Sequence, residues 1–149
     1  VMTDGKLMIL EGGEWLRQMH IKDGFAIKHA ITNNYKVCVI SGSGSAALEE
    51  RLIALGIPQV DINLHADNKI ETYNRFLSSH KIHISESLYM GDDIPDLECI
   101  KAAGLAACPS DAAQEIKQNS HFITQAEGGS ACVREVIELI LKTQGNWQF

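Results

Sequence analysis

Short apolar runs alternate with helical patterns along most of this chain, and that alternation constrains the fold more than any other feature. The sequence predicts strands over 36–41, 60–62, 87–90, 105–108 and 121–124, and helices over 23–32, 46–55, 69–79, 96–103, 111–118 and 133–142. Strands that alternate with helices form a parallel sheet with right-handed crossovers. We therefore predict an α/β fold with a doubly wound, Rossmann-like parallel sheet, in which the β-branched run 36–41 is buried on both faces.

A β-hairpin is predicted ahead of this alternation, within about residues 6–19. The apolar runs 6–10 and 15–19 flank Gly12 and Gly13, a pattern typical of two strands joined by a tight turn. The chain has 149 residues, which suits one domain with one core, and it shows neither an internal repeat nor a linker. We expect a single domain over 1–149 that carries the hairpin as an insertion.

Composition argues against two classes of partner. The net charge of −6 disfavours nonspecific binding to nucleic acid, which depends on Lys and Arg neutralising phosphates. No apolar stretch reaches the ~18 residues that a membrane span needs, and no secretory signal is visible, so we expect no membrane contact and a cytoplasmic location. The sequence begins at Val1 instead of Met, and we expect the native start to lie upstream.

Cysteine spacing favours a reducing compartment. Cys38, Cys99, Cys108 and Cys132 form no CxxC pair and fall on separate predicted elements. Zinc sites and disulfide frameworks usually show paired spacings, so we expect reduced thiols.

An acidic cluster follows the strand predicted at 87–90. Asp92, Asp93 and Asp96 would repel one another if they were desolvated without a counter-charge, and a divalent cation would relieve that repulsion. Mg²⁺ commonly takes one or two carboxylates, with water and phosphate oxygens as its other ligands. The alternative is a solvated acidic turn in which Asp93 or Asp96 caps the next helix. Spacing alone leaves both interpretations open.

Two further polar groups fall at predicted strand ends. Ser41, Gly42 and Ser43 follow strand 36–41 and precede a helix, so a hydroxyl and backbone N–H groups could hold a phosphate oxygen. They could equally form a turn and cap that helix. Lys69 begins another helix near a third strand end, where it could neutralise a phosphate or lie on the surface. Ligands of doubly wound sheets bind beyond the carboxyl ends of the strands, so we expect these groups and the acidic cluster to converge.

The combination is more specific than its parts. The order Ser41, Lys69 and Gly-Asp-Asp-x-x-Asp at 91–96 resembles the haloacid dehalogenase phosphatases, and residues 1–5 resemble the tail of their opening motif D-x-D-G-V-x-T-D-G. Segments 19–28, 91–96 and 128–135 resemble the 3-deoxy-D-manno-octulosonate 8-phosphate phosphatases, and the likeness covers essentially the whole chain. It implies a fold without a large cap domain and a homotetramer in which the hairpin and the C-terminal segment of neighbouring subunits help close the active site.

The resemblance also implies a reaction and roles for individual residues. The reaction is Mg²⁺-dependent hydrolysis of an anionic sugar-acid phosphate in lipopolysaccharide biosynthesis, through an aspartyl-phosphate. Asp92 would bind Mg²⁺, and Asp93 would orient metal-bound water. Asp96 would position Lys69, which would balance charge in the transition state. The Ser41–Gly42–Ser43 turn would hold the phosphoryl group.

Three other side chains leave two interpretations open. Arg134 could bind a neighbouring subunit's substrate carboxylate, or pair with Glu138 or Glu135, and we favour the pairing. Arg17 in the hairpin faces the same choice between substrate and structural partner. His65, ahead of Lys69, is either a substrate contact or an exposed loop residue, and the second is the more common situation.

The nucleophile and the acid–base Asp of the family belong to the D-x-D part of the opening motif, which this sequence does not contain. Phosphate-monoester hydrolysis is so slow that enzymes accelerate it up to ~10²¹-fold. We therefore expect the 149-residue chain by itself to be inactive. The strand that carries this motif normally lies in the middle of the sheet, so its absence predicts two unpaired strand edges.

Two other functions are compatible with parts of the pattern. Non-catalytic oligomerisation modules of the same fold occur fused to sialic-acid cytidylyltransferases, with altered acidic and Lys positions. The intact Lys69, Asp92, Asp93 and Asp96 argue against such a module. A receiver-like or other flavodoxin-type domain would combine its acidic residues with the strand ends differently and would not explain the hairpin.

Overall fold

The computed structural model describes residues 1–148 and confirms the alternation of strands and helices. The strands are β1 (Met8–Ile9), β2 (Trp15–Leu16), β3 (Val39–Ile40), β4 (Ile62–Asn63), β5 (Leu88–Met90), β6 (Leu105–Cys108) and β7 (Phe122–Ile123). The helices are α1 (Ile21–Thr32), α2 (Ala46–Ala54), α3 (Lys69–His80), α4 (Leu97–Ala102), α5 (Gln114–Asn119) and α6 (Cys132–Thr143). Short 3₁₀ turns occupy Gln59–Asp61, Ile84–Glu86 and Ile94–Asp96.

The parallel strands form two separate groups. Strand β3 pairs with β4 in parallel, with Val39 opposite Ile62. Strands β5, β6 and β7 form a second parallel sheet with β6 in the middle and Tyr89 opposite Ala106. The parallel α/β topology agrees with the prediction, but within residues 1–148 no ladder joins β3 to β5. Within the described residues, β3 and β5 are thus each paired on one side only.

Strand β3 is shorter and more exposed than predicted. The expected buried strand 36–41 forms a ladder only at Val39–Ile40, and both residues are half-buried. Because β3 has a partner on one side only, its other edge borders a cleft. The prediction of a strand at 60–62 is also wrong for residues 60 and 61, which do not belong to a strand. Pro58 fixes φ at −59° and starts the 3₁₀ turn Gln59–Asp61, so β4 begins only at Ile62.

A cleft of about 1480 Å³ separates the two groups of strands. Val39 and Ile40 line one wall, Tyr89 and Met90 line the other, and Ile137 of α6 also borders it. Each side has its own apolar cluster. The cluster on the β5–β7 side includes Tyr73, Leu77, Cys99, Ile100 and Ile116, and the cluster on the β3–β4 side contains Ile27, Leu52, Leu55 and Ile57. The core is thus divided along the line of the cleft.

Helices α1 and α6 are joined by a buried carboxylate. Asp23 is 1% exposed, and its Oδ1 accepts a hydrogen bond from the backbone N–H of Arg134 at 2.7 Å. Ala131 at the start of α6 offers no side-chain cap, so Asp23 satisfies a free N–H of that helix from another element. Its Oδ2 has no hydrogen-bond partner among the described residues. Burial raises the pKa of Asp23, and the bond from Arg134 opposes that rise.

The hairpin forms where it was predicted and is largely exposed. Met8 pairs with Leu16 and Ile9 with Trp15 in antiparallel register. The side chains remain in solvent, since Ile9 is 67% and Trp15 64% exposed. An exposed apolar patch of this kind commonly marks a contact surface.

The fifth helix begins three residues later than the predicted 111–118, and Asp111 does not cap it. Helix α5 starts at Gln114, and Ala113 precedes it with no side-chain cap. A backbone bond from Ala113 N–H to the Asp92 carbonyl (2.9 Å) fixes this turn instead. The Asp111 Oδ1 is used elsewhere and accepts from the Gly128 N–H at 2.8 Å.

Candidate active site

The predicted site residues meet at one end of the cleft, beyond the carboxyl ends of β3, β4 and β5. Ser41 follows β3, Lys69 opens α3 after β4, and Asp92 follows β5. These three side chains line the cleft together with Ser43 and Asp96. Crossovers of the same hand bring successive parallel strands to one edge, so residues far apart in sequence become neighbours here.

Asp96 is the buried anchor of the acidic turn, with 4% of its surface exposed. Its Oδ1 accepts from Lys69 Nζ at 2.7 Å and from the Tyr89 hydroxyl at 2.9 Å. Its Oδ2 accepts from the backbone N–H groups of Asp92 and Asp93 at 3.2 and 3.4 Å. A carboxylate removed from water needs such donors, since an unpaired buried charge is strongly destabilising. The structure thus brings Asp96 and Lys69 into direct contact.

Gly91 makes room for this anchor. A Cβ placed on Gly91 would lie 2.4 Å from the Cβ of Asp96, closer than any real contact. The turn can fold over the Asp96 side chain only because position 91 has no side chain. Glycine is therefore required at the first position of the Gly-Asp-Asp pattern for steric reasons.

Tyr89 is a site residue that the sequence analysis did not identify. Burial, and next the negative charge of Asp96, raise the pKa of Tyr89, so its hydroxyl stays protonated and donates to Asp96. Strand β5 alternates between an exposed Leu88 and a buried Tyr89. This alternation turns Tyr89 toward the buried side where Asp96 lies, but the all-apolar sequence Leu88–Met90 does not show it.

Asp92 and Asp93 face different surroundings. The Asp93 Oδ1 accepts from the Ile94 N–H at 2.8 Å and caps the 3₁₀ turn Ile94–Asp96, which is the capping interpretation of the sequence. The Asp92 carboxylate points to the cleft, and its Oδ2 contacts the amino group of Val1. Of the two, Asp92 is the carboxylate that is available to a ligand in the cleft.

The donor set at Asp92 suits a hard cation that takes few protein ligands. Within residues 1–148, no three His, Cys, Asp or Glu side chains are grouped to hold a metal. Mg²⁺ needs only one or two carboxylates when water and phosphate oxygens complete its shell. The Asp92 carboxylate borders the cleft with its side chain 39% exposed, so a cation and its water ligands can reach it. Asp92 therefore fits Mg²⁺ as a one-carboxylate site.

Backbone hydrogen bonds to residues 63 and 66 hold the Ser41–Gly42–Ser43 turn in place. The Ser41 N–H donates to the Asn63 carbonyl, and the Ser41 carbonyl accepts from Ala66, both at 2.9 Å. The Ser43 N–H donates to the Ser41 hydroxyl at 3.3 Å. Ser45, not Ser41 or Ser43, caps helix α2 through the Leu48 N–H. The helix-cap interpretation of Ser41 is therefore wrong, and its hydroxyl borders the cleft.

Arg134 does not join the other predicted site residues. Its Nε donates to Glu138 at 2.6 Å, and its guanidinium lies over the Trp147 ring at 4.7 Å and the Phe25 ring at 5.3 Å. It borders a separate groove along α6. The favoured pairing with Glu138 is confirmed. The alternative with Glu135 is wrong, because that carboxylate accepts from the backbone of residues 125 and 126. Binding of a neighbouring subunit's substrate by Arg134 stays a prediction.

The loop before α6 clamps the first residue of the chain beside Asp92. The Gly129 N–H donates to the Val1 carbonyl at 2.8 Å, and the Cys132 thiol lies 3.3 Å from the same oxygen. Gly129 has φ of +71°, and a Cβ there would lie 2.5 Å from the backbone nitrogen of Asp4. Residues 1–4 and the 128–132 loop thus form one side of the site.

The sequence and the fold both have relatives of known structure or activity class. Residues 46–134 match the family model of haloacid dehalogenase-like hydrolases. The 3-deoxy-D-manno-octulosonate 8-phosphate phosphatase of Yersinia pestis is 31% identical over 144 residues, which are 97% of this chain and 76% of that protein.

Two solved structures have the same architecture. The corresponding phosphatase of Moraxella catarrhalis, in complex with a magnesium ion, a phosphate ion and a KDO molecule, has a TM-score of 0.94 at 29% identity, over 99% of this chain and 83% of that one. The cobalt-bound enzyme of Haemophilus influenzae has a TM-score of 0.91 at 30% identity, over 97% of this chain and 84% of that one.

Proposed function

Because this chain belongs to the haloacid dehalogenase-like hydrolases, we propose that it is a Mg²⁺-dependent phosphatase domain that hydrolyses 3-deoxy-D-manno-octulosonate 8-phosphate to the sugar acid and phosphate. One observation carries the proposal: Ser41, Lys69 and Asp92 border one cleft at neighbouring strand ends. The Yersinia relative is named for this substrate, and the Moraxella structure contains magnesium, phosphate and KDO. Both facts support the same substrate class for this chain.

In phosphoryl transfer, most residues of an active site align the substrate and stabilise the charge on its phosphoryl group. Few of them form covalent bonds. Lys69 is fixed by Asp96 at 2.7 Å, and its side chain is 17% exposed. A cation held in place before the reaction needs little rearrangement when negative charge develops on the phosphoryl oxygens. Asp96 therefore acts through Lys69, whose ammonium balances that charge.

The hydroxyl and the two remaining carboxylates have separate tasks. Ser41 donates its O–H to a phosphoryl oxygen, assisted by N–H groups of the turn through Gly42 and Ser43. Asp92 would hold Mg²⁺, which when bound neutralises phosphate charge and fixes the direction of the phosphoryl group. Asp93 orients water around that position. The intermediate is an aspartyl-phosphate on the first Asp of the D-x-D motif, so an assay requires a protein that includes this motif.

The assembly that we propose is a homotetramer with the hairpin at a subunit contact. Met8, Ile9, Trp15 and Leu16 expose 49–67% of their surface, which favours burial by another subunit. Light scattering on the full-length protein should give a tetramer, and Trp15→Glu should lower the mass. A monomer at micromolar concentration would contradict this part of the proposal.

We further propose a single domain that works in the cytoplasm. None of the helices within residues 1–148 has the length and apolar character to cross a bilayer. The four cysteines are free thiols, which is usual in a reducing compartment. Cell fractionation of the full-length protein tests the location.

The decisive test measures phosphate released by the full-length protein from 3-deoxy-D-manno-octulosonate 8-phosphate. We expect turnover that requires Mg²⁺ and stops with EDTA. Lys69→Ala and Asp92→Asn should each lower kcat about 10²–10³-fold, as loss of one charge-stabilising group typically does. Lys101→Ala, an exposed lysine of α4, is the matched control and should keep full activity. Absence of Mg²⁺-dependent turnover on any sugar phosphate would refute the proposal and favour a non-catalytic module.

A further inference from the structure

Asp23 is a buried carboxylate that the proposed reaction leaves without a task. Its side chain is 1% exposed, and its Oδ1 accepts a hydrogen bond from the backbone N–H of Arg134, a residue 111 positions later in the chain. Its Oδ2 is buried with no partner among the described residues. A buried oxygen without a donor lowers stability, so stability alone does not explain a carboxylate at this position.

The bond from Arg134 caps the N-terminus of α6. Arg134 is the third residue of that helix, and a side-chain oxygen that accepts from the second or third N–H is the usual helix cap. Ala131, which precedes the helix, has φ of +73° and supplies no side-chain cap. This left-handed conformation is unfavourable for a residue with a Cβ. The first turn of α6 therefore needs support from another element, and Asp23 of α1 provides it.

The same turn of α6 holds the first residue of the chain. The Cys132 thiol lies 3.3 Å from the Val1 carbonyl oxygen, and the Gly129 N–H donates to that oxygen at 2.8 Å. Val1 lines the cleft, and its backbone nitrogen contacts the Asp92 carboxylate. The start of α6 thus connects Asp23 to the wall of the cleft beside Asp92.

Helices α1 and α6 do not need Asp23 in order to stay together. They pack on each other, and Ile27 of α1 lies in an apolar cluster with Val133 and Ile137 of α6. Burial of apolar surface stabilises such a helix pair without a polar contact. The carboxylate instead fixes one point, the backbone N–H of Arg134. Its specific effect is therefore on the position of the first turn of α6.

We propose that Asp23 is a positioning residue of the phosphatase, which fixes the first turn of α6 and, through the contacts on Val1, the wall of the cleft beside Asp92. The inference rests on the proposed phosphatase function, and Asp23 itself touches no substrate. A displacement of about 1 Å near the reacting groups can lower the rate about 10²-fold. Since Ser41 and Lys69 keep their places, Asp23 acts on kcat more than on KM.

The first experiment measures turnover of 3-deoxy-D-manno-octulosonate 8-phosphate by the full-length protein, at a temperature at which circular dichroism shows every variant fully folded. Asp23→Ala should lower kcat at least about tenfold and change KM less than about threefold. Asp23→Asn should keep kcat within about threefold of wild type, because its amide oxygen still accepts from the Arg134 N–H. An unchanged kcat in Asp23→Ala, or a loss confined to KM, would overturn the inference.

Asp61→Ala is the matched control for the loss of a buried carboxylate. Asp61 is 4% exposed and lies 2.9 Å from Nε2 of His80, at the last residue of α3 and away from the contacts on Val1. It should lower the urea midpoint and keep kcat within about twofold. Equal losses of kcat in Asp61→Ala and Asp23→Ala would show that Asp23 is only structural. If Asp23→Ala does not fold, Asp23→Ser, which keeps a polar group in the buried space, takes its place.

A double variant tests whether Asp23 acts through Val1. A Cβ on Gly129 would lie 2.5 Å from the backbone nitrogen of Asp4, so Gly129→Ala displaces the start of the chain without touching Asp23. If both changes act on the same contacts, the kcat of the double variant should lie within about twofold of that of Gly129→Ala alone. Multiplied losses would mean independent effects and would contradict the inference.

Hydrogen exchange followed by NMR gives a readout that does not depend on activity. The Gly129 amide bonds Val1 and not Asp23. It should exchange at least about tenfold faster in Asp23→Ala than in wild type, Asp23→Asn or Asp61→Ala, whereas amides of 105–108 should not change. Unchanged exchange at Gly129 would overturn the inference. If the wild-type protein does not hydrolyse the substrate, the proposed function fails separately, and this amide still decides whether Asp23 fixes the contacts on Val1.

Discussion

The two turns that border the cleft are built in different ways. The Gly91–Asp96 turn closes over a buried carboxylate that accepts four hydrogen bonds, and it leaves a three-stranded sheet. The Ser41–Ser45 turn leaves a two-residue strand with one neighbour, and exposed or half-buried groups hold it from outside. The Gly91–Asp96 turn is therefore fixed by a buried side chain of its own. The Ser41–Ser45 turn depends on contacts from the hairpin and from the loop before Lys69.

The largest difference between the two turns should appear when each loses its central polar group. Asp96→Asn should lower the free energy of unfolding by about 3–5 kcal/mol, since it breaks a buried ion pair. Ser41→Ala should change it by about 0.5 kcal/mol or less, because the hydroxyl is not needed to cap a helix. Urea denaturation of both variants checks the comparison, and equal losses would show that the turns are alike.

A smaller difference is expected when a methyl group is added to each turn. Gly91→Ala forces a contact with the buried Asp96, and we expect a loss of about 3 kcal/mol. Gly44→Ala meets Leu64 in a half-buried loop that can shift, and we expect about 1 kcal/mol. Thermal or urea unfolding measures both. A larger loss at Gly44 would mean that the outer turn is the more rigid of the two.

Hydrogen exchange should distinguish the strands that support the turns. Strand β6 has neighbours on both sides, whereas β3 is paired only with β4 within residues 1–148. Amides in 105–108 should exchange at least about tenfold more slowly than those in 39–41, because local opening of a strand with one partner is easier. Similar protection in the two segments would argue that another strand covers β3 in solution.

The smallest expected effect is the change of folding stability with pH that two carboxylates near α6, Asp23 and Glu138, produce. Burial raises the pKa of Asp23, so protonation stabilises the fold, and this contribution is lost as pH rises above the ordinary Asp value of about 4 through the raised pKa. The stability of wild type relative to Asp23→Asn should therefore fall as pH increases. Lys142 and then Arg134 lower the pKa of Glu138, so its contribution is lost as pH falls. Urea midpoints of Asp23→Asn and Glu138→Gln between pH 3 and 7 should show opposite slopes against wild type.

Elements with a strong local pattern could be predicted from the sequence. Helix α3 was expected over 69–79 and spans Lys69–His80, because its apolar face recurs at helical spacing and Asn68 caps it. Strand β6 was expected over 105–108 and spans Leu105–Cys108. Strand β3 could not be predicted in length, since its extent depends on which strands pair with it and not on its own residues.

The site followed the same rule. The order of strands and helices was sufficient to place Ser41, Lys69 and Asp92 at one edge. The Tyr89 bond to Asp96 and the Arg17 bond to Ser43 depend on how separate elements approach each other in three dimensions. The residue pattern within a single element does not show which other elements pack against it. These two contacts could therefore be found only in the structure.

The clamp on Val1 affects how this chain can fold during synthesis. The groups that hold the Val1 carbonyl belong to Gly129 and Cys132, near the opposite end of the sequence. At 5–20 residues per second, a ribosome completes those residues roughly 6–26 s after it has made Val1. The carboxylate Asp92 emerges well before its clamped neighbour can be fixed. The side of the cleft next to Asp92 is therefore among the last parts of the nascent polypeptide to acquire its final shape.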